Sequence, residues 1–384
     1  MKTDPISNTM TLFCMVILLT SPNFVKAEGL EDNTASEFRP VEPNRIPEIL
    51  TIISEKVRSN YERINTWQGK TDVTINVIYG GAAAERIFTT HTDGAGEIPK
   101  AVIKHTESII QFAVDAEKDF LYVKYDPQKP QQYMDLETGR DLGAKGIANR
   151  RRAIVTPEYE LHCMGDTMRD GIVMSRKAVK QSRQTGSTCA STLHPVFDPR
   201  SHLINGHPIW ETFSRIIQYI NEHNEYAIDG YTIKIEERNN GGFTEYRVQI
   251  PRKLSPEQGK LSPENYLFIT RTFSSAKGFT VILEEVTHPD GRFLQRWTWD
   301  YDLVDDVYVP TKTSQQNFMG GDGKLSYDRK SAFKNLQINH PIPPETFTYK
   351  NLGLEDGDKF VDKILGKEFT YQDQTLIEVE KKDN

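Results

Sequence analysis

The sequence predicts a mainly antiparallel β domain with a few helices. Three observations support this. Period-two alternation of apolar and polar residues recurs along much of the chain. A dense run of strand patterns from Tyr266 to Phe333 is joined by connections too short for parallel crossovers. Two segments carry apolar residues at spacings of three and four, which suits helices laid on one face of a sheet.

The first helical stripe is Ile46, Ile49, Leu50, Ile53, Val57, Tyr61 and Ile64, predicting a helix from about Pro47 to Asn65. After Trp67 the period changes. Val73, Ile75, Val77 and Tyr79 alternate with Asp72, Thr74 and Asn76, which predicts a strand with one buried face. Ser108 to Val114 and Phe120 to Tyr125 read as a hairpin across Ala116 to Asp119. From Gln128 to Asn224 alternation fades, and the stretch reads as an inserted segment or subdomain. It ends in a second helix with Ile209, Trp210, Phe213, Ile216, Ile217 and Ile220 on one face. Strands resume with Tyr231, Ile233 and Ile235, and the turn Asn239-Asn240-Gly241-Gly242 leads back into Tyr246, Val248 and Ile250. The final meander places strands near 266–274, 280–286, 291–301, 307–318 and 324–333. Its turns fall at Lys277-Gly278, His288 to Gly291, Asp305-Asp306 and Gly320 to Gly323.

At the start of the chain, Lys2, the apolar run Met10 to Leu19 and Val25-Lys26-Ala27 have the pattern of a cleaved signal peptide over residues 1–27; an uncleaved anchor is the alternative. Residues 28–42 read as a flexible leader and 43–384 as the folded domain, with 128–224 inserted. Nothing after Leu19 is apolar for long enough to span a membrane. A net charge of −7 argues against a general nucleic-acid binder, which needs a basic footprint. Two cysteines follow the signal segment, Cys163 and Cys189. An exported chain predicts a bridge between them, with two buried thiols as the alternative.

Motifs for chemistry are scarce. Gly320 to Leu325 fails as a phosphate loop, because Leu325 follows Lys324 and Phe318 stands where the first glycine belongs. There is no Gly-x-Ser-x-Gly, His-Glu-x-x-His, Cys-x-x-Cys or calcium-loop pattern, and no cofactor is implied. His194, Asp198, His202 and His207 form a weak metal-ligand candidate. Pro195 and Pro199 prevent the helix that would stack the first three, so an ordered surface loop is the competing reading. Lys145 and Arg150 to Arg152 could meet phosphate head groups, or form a solvated turn.

The C-terminal motif Leu336-Gln337-Ile338-Asn339-His340-Pro341-Ile342-Pro343-Pro344-Glu345-Thr346-Phe347 resembles the exit from the last long strands in the LolA-like family of periplasmic lipoprotein carriers. Asp306 to Pro310, the tail Leu354 to Asp362, and the opening helix with Trp67 are similar to that family in the same order. The resemblance implies an incomplete antiparallel β-barrel, a half-barrel with helices across its concave face, enlarged here by the inserted segment. It also implies a non-enzymatic role and an apolar cavity for lipid, an acyl chain or an acylated protein. Candidate cavity residues are Val73, Ile75, Val77, Ile233, Ile235, Phe293, Trp297, Trp299 and Tyr301. On the strand GRFLQRWTWDY, Phe293, Gln295, Trp297, Trp299 and Tyr301 share one face, and Arg292, Leu294, Arg296, Thr298 and Asp300 the other. The aromatic face is expected to meet the helices, as core or as cavity wall. Lipid or lipoprotein acyl chains are the expected partners, and an envelope membrane protein is a further one. Two rival readings are a periplasmic sensor or scaffold that binds a protein through the same fold, and a secreted enzyme or metal protein using the His194 to His207 loop.

Overall fold

The computed structural model describes residues 37–92, 96–118, 120–147, 151–157, 159–164, 170–175, 203–204, 207–223, 225–228, 231–253, 266–319 and 323–379. The first part of the chain comprises β1 (Arg39–Pro40), α1 (Ile46–Tyr61), β2 (Thr66–Gly80), α2 (Gly81–Thr92), β3 (Ala101–Asp115) and β4 (Phe120–Pro127). Short strands follow: β5 (Pro130–Asp135), β6 (Asp141–Ile147), β7 (Arg151–Val155), β8 (Tyr159–Met164), β9 (Asp170–Ser175), β10 (Leu203–Ile204) and β11 (His207–Pro208). After α3 (Ile209–His223) come β12 (Ala227–Ile228), β13 (Tyr231–Thr232), β14 (Lys234–Asn240), β15 (Phe243–Lys253), β16 (Tyr266–Ser274) and β17 (Thr280–Thr287). The meander continues through β18 (Phe293–Val304), β19 (Val307–Met319) and β20 (Lys324–Ile338), and the chain closes with β21 (Lys359–Asp362), β22 (Lys367–Gln372) and β23 (Thr375–Glu378).

Pairing assembles most of these strands into one open sheet. β14 to β20 add consecutively as antiparallel neighbours, as their short turns require. β20 then pairs with β2, β2 with β3, and β3 with β4 along one half of its edge and β5 along the other. The path continues through β7, β8 and β9 to β21, where the pairing is parallel. The sheet does not close on itself, so the architecture is an incomplete barrel.

Residues 128–224, read as an insertion, supply β5 to β9 to this sheet and contribute α3 to its helix layer. At the end of the stretch read as a leader, Arg39 and Pro40 pair with Glu237 and Glu236. Arg238 and Arg247 lie over the Phe38 ring at 4.4 and 4.0 Å. Residues 1–27 lie outside the described residues.

α1 and α3 pack against one another and against one face of the sheet. Leu50, Ile53, Val57, Ile209 and Phe213 are all fully buried, in one core with Val73, Phe112, Ile235, Val248, Phe273, Val309 and Phe333. Tyr61 lies 6.0 Å from Trp210 between ring centroids, and the Ser54 hydroxyl donates to the Trp210 carbonyl at 3.3 Å. α2 forms a smaller core on the same side of β3, where Ala84 and Phe88 meet Val102, Tyr133 and Leu142. Nothing in the expectations above marked this helix, although Ala84 and Phe88 are four apart. On the other side of the sheet the C-terminal segment builds a third core from Phe347, Leu352, Phe360 and Tyr371 over Ala113, Ile154 and Leu161. Arg152 runs beneath it and donates to the Leu352 carbonyl at 2.7 Å. Gly353, at φ +69°, cannot accept a side chain there, because an added Cβ would fall 0.9 Å from that guanidinium.

Asn339 ties the two ends of the helix–strand unit together. Its Oδ1 accepts from the Asn65 amide at 2.8 Å, its Nδ2 donates to the Arg63 carbonyl at 2.8 Å, and its backbone sits at φ 59°. Asn339→Ala should cost about 2 kcal/mol in urea denaturation, from lost hydrogen bonds and left-handed strain. Asn339→Gly should recover roughly half of that by relieving the strain alone. Equal losses in the two variants would place the whole effect in the side-chain bonds.

Candidate ligand-binding face

The helix face of the sheet is not covered uniformly. Strand register defines cross-strand rows, and side chains in one row share a face. One row runs Trp299, Thr313, Ser331, Val73 and Ser108, and Trp299 and Val73 join the main core. The next row is Trp297, Gln315, Arg329, Ile75 and Thr106, and the one beyond it is Gln295, Asn317, Tyr327, Val77 and Lys104. The last two rows lie between the core under α1 and α3 and the cluster under α2. Every member except Thr106 is partly exposed.

The aromatic strand therefore passes from interior to rim. Tyr301 is buried beside Tyr61, and burial raises its hydroxyl pKa well above the ordinary value, with Tyr61 adding to the effect. Trp299 packs partly against the core. The Trp297 and Trp299 rings stack at 5.7 Å and 11°, and Phe293 is 37% exposed at the strand's start. The opposite face of β18 is polar: Arg296 donates to Glu285 at 2.7 Å. Thr298 and Asp300 line a shallow cavity of about 330 Å³ with Asp72, Lys312 and Lys330. A second cavity, about 620 Å³, lies between α1 and α3 and is lined by Ser54, Glu55, Arg58, Trp210 and Gln218. Its polar lining does not suit hydrocarbon.

Of the cavity candidates, the structure brings Val73, Ile75, Val77, Trp297 and Trp299 to adjoining rows of one face. Ile233 and Ile235 are 1% and 2% exposed in the core near α3, and Tyr301 is likewise buried. The direct pairing Arg271 to Glu284 on the same side of the sheet forms an ion pair with Nε to Oε2 at 2.5 Å. Arg329 and Lys104 are the polar members of the face that the candidate list did not contain. Burial pushes the pKa of the Arg329 guanidinium below its ordinary value, against the opposing influence of the Tyr327 and Tyr125 hydroxyls. Burial likewise lowers that of Lys104.

His194, Asp198, His202 and Cys189 lie outside the described residues, as do the side chains of His207 and Cys163, so neither the metal candidate nor the bridge has a described geometry. Among the described residues no group of three His, Cys, Asp or Glu side chains is placed to hold a metal ion. No helix among them is long and apolar enough to cross a membrane.

No family model and no curated protein matches the chain. Solved structures resemble the chain at low identity and low TM-score. A DUF1329 family protein from Desulfovibrio piger ATCC 29098 is 9% identical at a TM-score of 0.36, covering 81% of this chain and 100% of its own. An outer membrane lipoprotein-sorting protein domain from Vibrio parahaemolyticus is 8% identical at 0.37, covering 80% and 99%. A LolA superfamily protein from Nitrosomonas europaea is 8% identical at 0.32, covering 79% and 98%. The open antiparallel sheet with helices across one face is the architecture that the sequence resemblance implied.

Proposed function

We propose that the chain is an exported, non-enzymatic binding protein that holds the acyl chain of a lipid or of a lipid-modified protein against the helix face of its open sheet. The observation that carries this reading is the stacked Trp297–Trp299 pair, partly exposed where the main core ends, with Ile75 and Val77 three strands away on the same face. Stacked indoles bordering a packed interior give a flat apolar wall. An acyl chain lying on such a wall gains about 0.8 kcal/mol for each CH₂ removed from water, without directional partners. Export is supported by the signal-like pattern of residues 1–27.

Two measurements test the reading. Mass spectrometry of an organic extract of protein purified from its native envelope should find a stoichiometric acyl lipid. In delipidated protein, Trp299→Ala should weaken fatty-acid binding about tenfold or more, from lost contact area at the wall. Its cost in stability should stay well below that of a fully buried tryptophan. Trp297→Phe and Trp299→Phe variants will separate their fluorescence from that of Trp67 and Trp210. A protein that carries no lipid and whose fluorescence no fatty acid perturbs is not a carrier, and a protein partner would become the reading to pursue.

A further inference from the structure

On the neighbouring strands β14 to β18, four arginines are neutralised by carboxylates across the strands. Arg271 meets Glu284, Arg238 meets Glu245, Arg247 meets Glu236 and Arg296 meets Glu285. The chain has carboxylates in excess, with a net charge of −7. Arg329 and Lys104 nevertheless make no ion pair among the described residues. The Arg329 Nε is buried with no hydrogen-bond acceptor, and the titratable groups acting on this guanidinium are the neutral Tyr327 and Tyr125 phenols, not carboxylates. Lys104 and Tyr327 share a row, with Val77 between them. Arg329 lies one row nearer Trp299, next to Ile75 and Gln315. Burial has already weakened the charged form of both cations. An uncompensated cation held against apolar neighbours is costly to a folded chain, and an anion arriving from outside would remove the cost.

We infer that this face is built for an anionic amphiphile, whose carboxylate or phosphate head sits on Arg329 and Lys104 while its hydrocarbon runs toward Trp297 and Trp299. The inference rests on the acyl-chain reading above and adds the charge of the ligand to it. Tyr327 and Tyr125 supply hydroxyl donors beside the guanidinium, and Gln315, whose Nε2 donates to Asn317 Oδ1 at 3.1 Å, borders the same place. A guanidinium with a flanking phenol is suited to two oxygens of one head group, a geometry common to carboxylate and phosphate.

The test uses delipidated full-length protein and four probes: palmitate, palmitoyl lysophosphatidate, neutral monopalmitoylglycerol and inorganic phosphate. Wild-type protein should bind at least one of the two anionic amphiphiles about 10- to 100-fold more tightly than the neutral one, and the stronger of the two identifies the head group. Arg329→Gln should abolish most of that preference, weakening the anionic probes far more than the neutral one, and Lys104→Gln should reduce it. Because Arg329→Gln removes an unpaired cation, the ligand-free variant should melt no lower than wild type, which separates lost recognition from lost folding. A preference that survives Arg329→Gln, or a neutral probe bound as tightly as the anionic ones, would overturn the inference while leaving the acyl-chain reading intact. Phosphate binding as tightly as lysophosphatidate would make this a free-anion site and overturn the amphiphile. If none of the amphiphiles binds saturably, the acyl-chain reading itself fails, and this inference with it.

Discussion

Glu284→Ala will lower the free energy of unfolding by about 3–5 kcal/mol, because it breaks a buried ion pair from one side. Arg271 is 4% exposed and directly opposite Glu284 across β16 and β17, with Nε and Oε2 2.5 Å apart. Removing the carboxylate takes the negative charge away from Nε in a place that water reaches poorly. The loss should appear in urea denaturation as a lower midpoint with an unchanged slope. Replacing the two residues together, Arg271→Met with Glu284→Leu, should restore most of the stability or exceed it, since a buried ion pair gains little over apolar residues of similar volume. A double variant as unstable as Glu284→Ala would mean that the damage comes from lost packing instead of an uncompensated charge.

Trp67→Ala should cost a similar amount, about 3–5 kcal/mol, for a different reason. Trp67 is 1% exposed at the start of β2, stacked on Phe112 at 5.4 Å and tilted against Phe333 at 6.1 Å, so truncation opens a large cavity where three strands meet. Its indole Nε1 is buried without an acceptor. Trp67→Phe therefore deletes an unsatisfied donor along with part of the ring, and should cost roughly 1–2 kcal/mol. Thermal and urea denaturation of the pair of variants decide the matter. A loss below about 1 kcal/mol for the alanine variant would show that the site collapses around the gap.

The meander was legible because local chemistry determines it. Asp305 and Asp306 take φ values of 49° and 62°, as a two-residue hairpin turn requires, and Gly278 adopts 65° after the Ser275–Lys277 turn. The strands between those turns begin and end within a few residues of where alternation placed them, β16 at Tyr266 and Ser274 included. α1 was legible from its stripe, and begins at Ile46 and ends at Tyr61. β5 to β9 were not, because their Gly, Arg, Pro and Met content hides period-two alternation in strands of five to seven residues. The aromatic half of the candidate face could be read from one strand, since Trp297 and Trp299 are two apart. The cationic half could not. Arg329 and Lys104 look like solvent-facing members of ordinary strands. Only the register of β2 against β20 and β3 puts them on the side that carries the helices.

That same register sets the order in which the molecule can be completed. Trp67 stands opposite Ile338, so one edge of β2 has no partner until nearly the whole chain has emerged, and α1 has only part of its apolar bed until then. Contacts so distant along the chain make folding slow and leave a long strand edge available to other molecules in the meantime. Under the export proposed above, this delay would serve the chain, which would stay loose enough to be threaded through a membrane and acquire its final shape only after the last long strand arrives.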